Sequence, residues 1–69
     1  MNYSQLTRKL RDLGCEFYRQ VAGSHEVWWR SATGERTVIS NHGKKEIPRG
    51  TLRAIAKDLG LTLDDLLAK

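Results

Sequence analysis

The hydrophobic period changes twice along this chain, and those changes constrain its fold more than any other feature. Tyr3, Leu6, Leu10 and Leu13 recur at helical spacing, leaving Arg8, Lys9, Arg11 and Asp12 off the stripe. Ser4 is a candidate N-cap and Gly14 offers the left-handed residue that stops helices, so a first helix is predicted over 4–13. The period then falls to two. Cys15, Phe17, Arg19 and Val21 share one side of an extended segment, with Glu16, Tyr18 and Gln20 on the other. Gly23-Ser24 makes a turn, Glu26 to Arg30 is β-branched and aromatic, Ala32 to Glu35 turns again, and Thr37 to Ile39 is a third strand. From Pro48 the helical spacing returns in Leu52, Ile55, Ala56 and Leu59, ended by Gly60. Thr62 and Asp65 form a capping box for a last short helix holding Leu63, Leu66 and Leu67. A three-stranded meander cannot bury enough surface alone. The expected architecture is therefore α+β, in the order α-β-β-β-α plus a terminal turn, with helices on one sheet face and a single domain over 1–69.

Charge narrows the function classes. The chain carries net +4, unevenly: residues 1–53 hold ten basic and five acidic residues. That excess favours an anionic partner, nucleic acid first. Cys15 is the lone cysteine, which excludes an intramolecular disulfide and a cysteine-based zinc site and fits the reducing cytoplasm. No apolar run approaches the ~20 residues that span a bilayer, and the first twenty residues lack a signal-peptide stretch. His25 and His42 lie 17 positions apart without helical ligand spacing, so no metal site is expected. No cofactor or small-molecule partner is expected either, and no membrane partner.

Few residues can both give and take a proton. His25 follows Gly23-Ser24 in the turn between two strands, where a side chain is held yet reaches solvent. RNA needs little apparatus, because its own 2′-hydroxyl can attack the adjacent phosphate. One histidine near cations could suffice, although a histidine in a hairpin turn is also an ordinary surface residue. His42, beside Lys44 and Lys45, reads as structural or auxiliary. Cys15 reads as a small buried hydrophobe. Trp28 and Trp29 are adjacent, so they point to opposite sheet faces: one belongs to the core and the other is exposed or helix-covered, and an exposed aromatic beside Arg30 can stack on a base or meet a partner protein. The anion-facing surface is expected from the first helix, the loop at His42 to Lys45, and the start of the helix bearing Arg49 and Arg53.

Gly23-Ser24-His25 between two strands, then His42-Gly43-Lys44-Lys45-Glu46-Ile47-Pro48-Arg49-Gly50-Thr51-Leu52, and the closing Leu59-Gly60-Leu61-Thr62 together resemble the HicA toxin family. The Leu13-Gly14-Cys15 helix exit and the strand ending in Arg19-Gln20 agree. The resemblance covers nearly the whole chain. It implies a fold similar to double-stranded-RNA-binding domains and a ribosome-independent mRNA endoribonuclease, the toxin of a type II toxin–antitoxin system neutralised by a HicB-like antitoxin. The family's catalytic histidine corresponds to His25, expected to work without metal. The RNA-binding set is expected to be Ser24, Arg30, Lys44, Lys45, Arg49 and Arg53. An acidic antitoxin is expected to contact His25, Trp28 and Arg30. Many relatives carry an apolar or aromatic residue after the histidine, where this chain has Glu26, a carboxylate that either tunes the imidazole or faces solvent.

Two other readings remain at this point. A non-catalytic double-stranded-RNA-binding module would use the same basic patch, with His25 as a contact. A helix-turn-helix DNA binder would take Thr51 to Leu67 as its last two helices, but it needs helices where Gln20 to Ser40 has strand chemistry.

Overall fold

The computed structural model describes residues 1–68. Helix α1 spans Tyr3–Asp12, and its N-cap is Asn2 rather than Ser4. The Asn2 side chain accepts from the Gln5 amide while the Gln5 side chain accepts from the Asn2 amide, at 3.0 and 2.9 Å, a reciprocal cap that Ser4 cannot form from inside the helix. Leu6 and Leu10 face inward from this helix, and Gly14, at φ +86°, turns the chain into β1.

Strands β1 (Cys15–Gln20), β2 (His25–Arg30) and β3 (Glu35–Ser40) form an antiparallel sheet in sequence order. The second turn closes with the Thr33 and Gly34 amides on the Arg30 carbonyl. The β2–β3 register pairs His25 with Ser40, Val27 with Val38, and Trp29 with Arg36. Between β1 and β2 the register slips: Phe17 opposes Trp28, but Arg19 opposes Val27, which leaves Tyr18 as a bulge residue. This slip corrects the simple alternation expected for β1. Arg19 joins Tyr18 on one face, instead of sharing the face of Cys15 and Phe17.

Helices α2 (Arg49–Asp58) and α3 (Leu63–Leu67) complete the chain. The predicted Thr62–Asp65 capping box is present in both directions. All three helices contribute to a core against one sheet face: Leu6 and Leu10 from α1, Leu52, Ile55 and Ala56 from α2, Leu66 from α3, with Cys15, Trp28 and Ile39 from the sheet. The three strands between residues 15 and 40 leave no place for the helices a helix-turn-helix reading requires. Among the described residues no helix is long and apolar enough to cross a membrane.

Alternation along β2 fixes what each side chain meets. Glu26, Trp28 and Arg30 turn toward the helices; His25, Val27 and Trp29 turn to the uncovered face. Of the two tryptophans, Trp28 is the core residue, 1% exposed, with Phe17 edge-on at 6.2 Å and the Arg11 guanidinium over its ring. Trp28 thus has no surface to offer an antitoxin, and the accessible indole is Trp29. Glu26 neither faces solvent nor meets the imidazole. It is 9% exposed, and its Oε1 accepts hydrogen bonds from the Tyr3 hydroxyl and from Trp28 Nε1.

Candidate active site

His25 is the first residue of β2, so the turn before it sets its position. Gly23 adopts φ +58°, a conformation that L side chains rarely enter. The His25 amide donates to the Ala22 carbonyl at 3.1 Å, and the Val21 amide donates to the His25 carbonyl at 3.0 Å. Gln20 Nε2 reaches across the turn to the carbonyls of Gly23 and His25, at 2.7 and 3.0 Å. From the next strand the Asn41 amide donates to the Ser24 carbonyl at 3.0 Å. The turn is thus tied from both sides, a requirement for a side chain that must hold one orientation.

The imidazole is exposed, and its Nδ1 lies 3.1 Å from the Ala22 carbonyl oxygen. A carbonyl only accepts, so Nδ1 carries the hydrogen of this bond. In the neutral ring Nε2 then holds the free lone pair. Ser24, also exposed, takes part in the turn through its carbonyl.

Because Ser40 pairs with His25, the chain leaves β3 beside the histidine. The following loop is built on Asn41, whose side chain accepts from the Gly43 amide at 3.0 Å, and it carries Lys44 and Lys45, both exposed. The Ile47 amide donates to the Met1 carbonyl at 2.9 Å, which anchors the loop to the start of α1. The loop delivers the chain to α2, where Arg49, Arg53 and Lys57 form an exposed row at helical spacing. Pro48 provides no side-chain cap, so the positive end of α2 adds to Arg49 and Arg53. His42 lines a cavity of about 390 Å³ together with Tyr3, Ile39, Ile47, Pro48 and Ile55. His25 is not part of that lining. It stands on open surface, which suits a polymer better than an enclosed small molecule.

Arg30 belongs elsewhere. It ends the strand that His25 begins, about 16 Å away at ~3.3 Å per residue, and on the opposite face. Its guanidinium donates to the Leu59 carbonyl at 3.1 Å, near the Gly60 carbonyl, with Glu35 at 3.8 Å. That is a clamp on the C-terminus of α2, so the structure does not bring Arg30 to the expected RNA-binding set or beside His25. Cys15 is buried, and that burial pushes its thiol up from the ordinary range, as befits a packing residue. Among the described residues no three His, Cys, Asp or Glu side chains converge as metal ligands would.

The uncovered face of the sheet holds residues that the sequence reading did not single out as a group. Arg36 stands beside Trp29 by register, and Arg19 beside Val27 by the bulge. A period-two reading separates Arg19 from Tyr18. Only the pairing register unites them.

Fold and site define a small basic α+β domain that displays one histidine at a strand start, next to a cation-bearing loop. The family described as HicA toxin of bacterial toxin-antitoxin matches residues 3–61, and the chain belongs to that family. It is also 41% identical over 61 residues, covering 88% of this chain and 97% of the relative, to the probable mRNA interferase HicA of Pseudomonas fluorescens (strain Pf0-1). No solved structure matches the chain significantly.

Proposed function

We propose that this toxin cleaves mRNA independently of the ribosome, with His25 as its one proton-transfer residue and without a metal ion. The observation that carries the reading is the histidine itself: Nδ1 is held by the Ala22 carbonyl while the exposed ring presents Nε2 to solvent. The name of the Pseudomonas relative, an mRNA interferase, supports the same substrate. The α-β-β-β-α order with helices on one sheet face supports kinship with double-stranded-RNA-binding domains.

Chemistry follows from the free nitrogen. Nε2 takes the proton of a ribose 2′-hydroxyl as that oxygen bonds to the adjacent phosphorus. The bond from phosphorus to the 5′-oxygen breaks, and the imidazolium returns its proton to that leaving oxygen. The products are a 2′,3′-cyclic phosphate and a 5′-hydroxyl. Such acid–base assistance is worth roughly 10²- to 10⁴-fold. Lys44, Lys45, Arg49 and Arg53 attract the backbone and offset charge developing on the phosphorane. Ser24, which shares the turn, adds a hydroxyl beside the phosphate.

The partner we infer is a HicB-like antitoxin with an acidic surface, acting in the cytoplasm, that covers His25 and neutralises the loop cations. Trp29 replaces Trp28 as the aromatic contact, because only Trp29 is accessible. An RNA carrying a single 2′-deoxyribose at a mapped cleavage position tests the chemistry, with chelator present throughout. Resistance confined to that position is expected. Cleavage there at the ordinary rate would exclude attack by the 2′-hydroxyl, and loss of all activity in chelator would restore a metal to the mechanism.

A further inference from the structure

The face of the sheet that displays His25 has no helix over it. By register it also presents Glu16, Arg19, Trp29, Arg36 and Val38 around a Val27 that is itself buried, and the bulge residue Tyr18 joins them through its contact with Trp29. Tyr18 packs on Trp29 with ring centroids 4.6 Å apart, and the Arg36 guanidinium lies over the Tyr18 ring at 5.2 Å. Tyr18 and Val38 remain 43% and 54% exposed. Aromatic rings left at a surface beside cations, rather than buried, mark a place where something flat and anionic docks.

We propose that this open face is a stacking track for single-stranded RNA leading to His25, a reading that rests on the ribonuclease function above and specifies how its substrate lies. A base stacks against the Trp29–Tyr18 pair, while Arg19 and Arg36 meet the flanking phosphates. Trp29 lies four residues from His25 along the same strand and on the same side, about 13 Å at ~3.3 Å per residue, a span of a few nucleotides. The charges favour an anion, and the Trp29–Tyr18 pair favours one that carries flat bases. Glu16, the acid on this face, is already engaged by Trp29 Nε1 at 3.2 Å, whereas Arg19 has exposed surface to offer a phosphate. A strand with unpaired bases fits because stacking requires accessible base faces, which a duplex hides.

The test uses full-length protein carrying His25→Ala, so that bound RNA stays intact. Anisotropy of a labelled single-stranded oligoribonucleotide is compared with the same sequence as a duplex, then repeated with Trp29→Ala, Tyr18→Ala and Arg36→Ala added singly. Urea midpoints identify any variant that fails to fold, and Arg36→Ala, at an exposed position, keeps the test alive if Trp29→Ala does. Preference for the single strand and weakening of about fivefold or more by each aromatic substitution are expected. Unchanged affinity in folded variants overturns the track, as does a preference for duplex. Retained RNA affinity with lost binding of a HicB-like antitoxin to the same variants also overturns it and assigns the face to the protein partner. Undiminished cleavage by His25→Ala would instead strike the catalytic reading and leave these binding results standing.

Discussion

Glu26 separates a structural role from a chemical one, since it neighbours His25 in sequence yet points into the core. Replacing it with alanine removes an acceptor that serves two donors, the Tyr3 hydroxyl and Trp28 Nε1 at 2.9 Å. Each hydrogen bond to a charged group contributes about 1.5–3 kcal/mol, and stranding the buried indole N–H costs a further ~1–3 kcal/mol. Relief of the carboxylate's own desolvation, several kcal/mol, offsets part of this. The net loss expected is about 2–3 kcal/mol, a shift of roughly 10–20 °C in Tm for a domain of this size. Glu26→Gln keeps the Oε1 acceptor and the shape but loses the charge, and about 1 kcal/mol with it. Urea unfolding followed by tryptophan fluorescence should rank the proteins wild type, Glu26→Gln, Glu26→Ala. RNA cleavage, measured where all three are folded, should be the same within a factor of about two, because the carboxylate is on the far side of the strand from the imidazole. If Glu26→Gln kept its unfolding midpoint and lost cleavage, the carboxylate would be acting on His25 and the argument from alternation would fail.

Arg30→Met should destabilise the fold by about 1–2 kcal/mol in urea unfolding through loss of the clamp on the Leu59 carbonyl, while RNA affinity by anisotropy stays unchanged. Tyr3 has its hydroxyl pushed up to about 12 by burial first and by its bond to Glu26 second. Its folded value lies above the unfolded one, so this stabilisation is full below about pH 10 and is lost as pH rises toward 12. The wild-type urea midpoint should therefore fall across that window more steeply than that of Tyr3→Phe; parallel curves would refute it. The raised Cys15 thiol should resist a thiol reagent at neutral pH until urea unfolds the protein, and prompt labelling of the native state would show the site to be open. Gly60→Ala should cost about 1 kcal/mol or more, since the position sits at φ +71° with the Glu35 carboxylate against the new methyl group; an unaltered midpoint would mean that the turn relaxes freely.

Local chemistry was readable from the chain because it is written in near neighbours. Gly14 and Gly60 stop helices, Thr62 and Asp65 cap one, and the apolar spacing of Leu6, Leu10, Leu52 and Ile55 names the core faces. What escaped depends on partners distant in sequence. The N-cap is a local exception: Asn2 and Ser4 stand two residues apart, and the reciprocal bonds between Asn2 and Gln5 decide between them. Trp28 and Trp29 are equivalent in a period-two pattern until the helices choose a face. The Tyr18 bulge shifts Arg19 across the sheet, and no single-strand periodicity carries that information. Arg30 looked like a surface cation because its acceptors, the carbonyls of Leu59 and Gly60, lie 29 and 30 residues away. At the site, His25 and the loop lysines were visible as turn residues and charge, whereas the hold of Ala22 on Nδ1 is a matter of geometry.

Cleavage of one labelled RNA under single-turnover conditions by wild type and by His25→Ala, at protein concentrations that saturate binding for both, isolates what the imidazole contributes to the chemical step. In His25→Ala the cleavage rate should fall roughly 10²-fold or more, with RNA affinity and unfolding midpoint little changed. An equal rate in the two proteins would contradict proton transfer by His25.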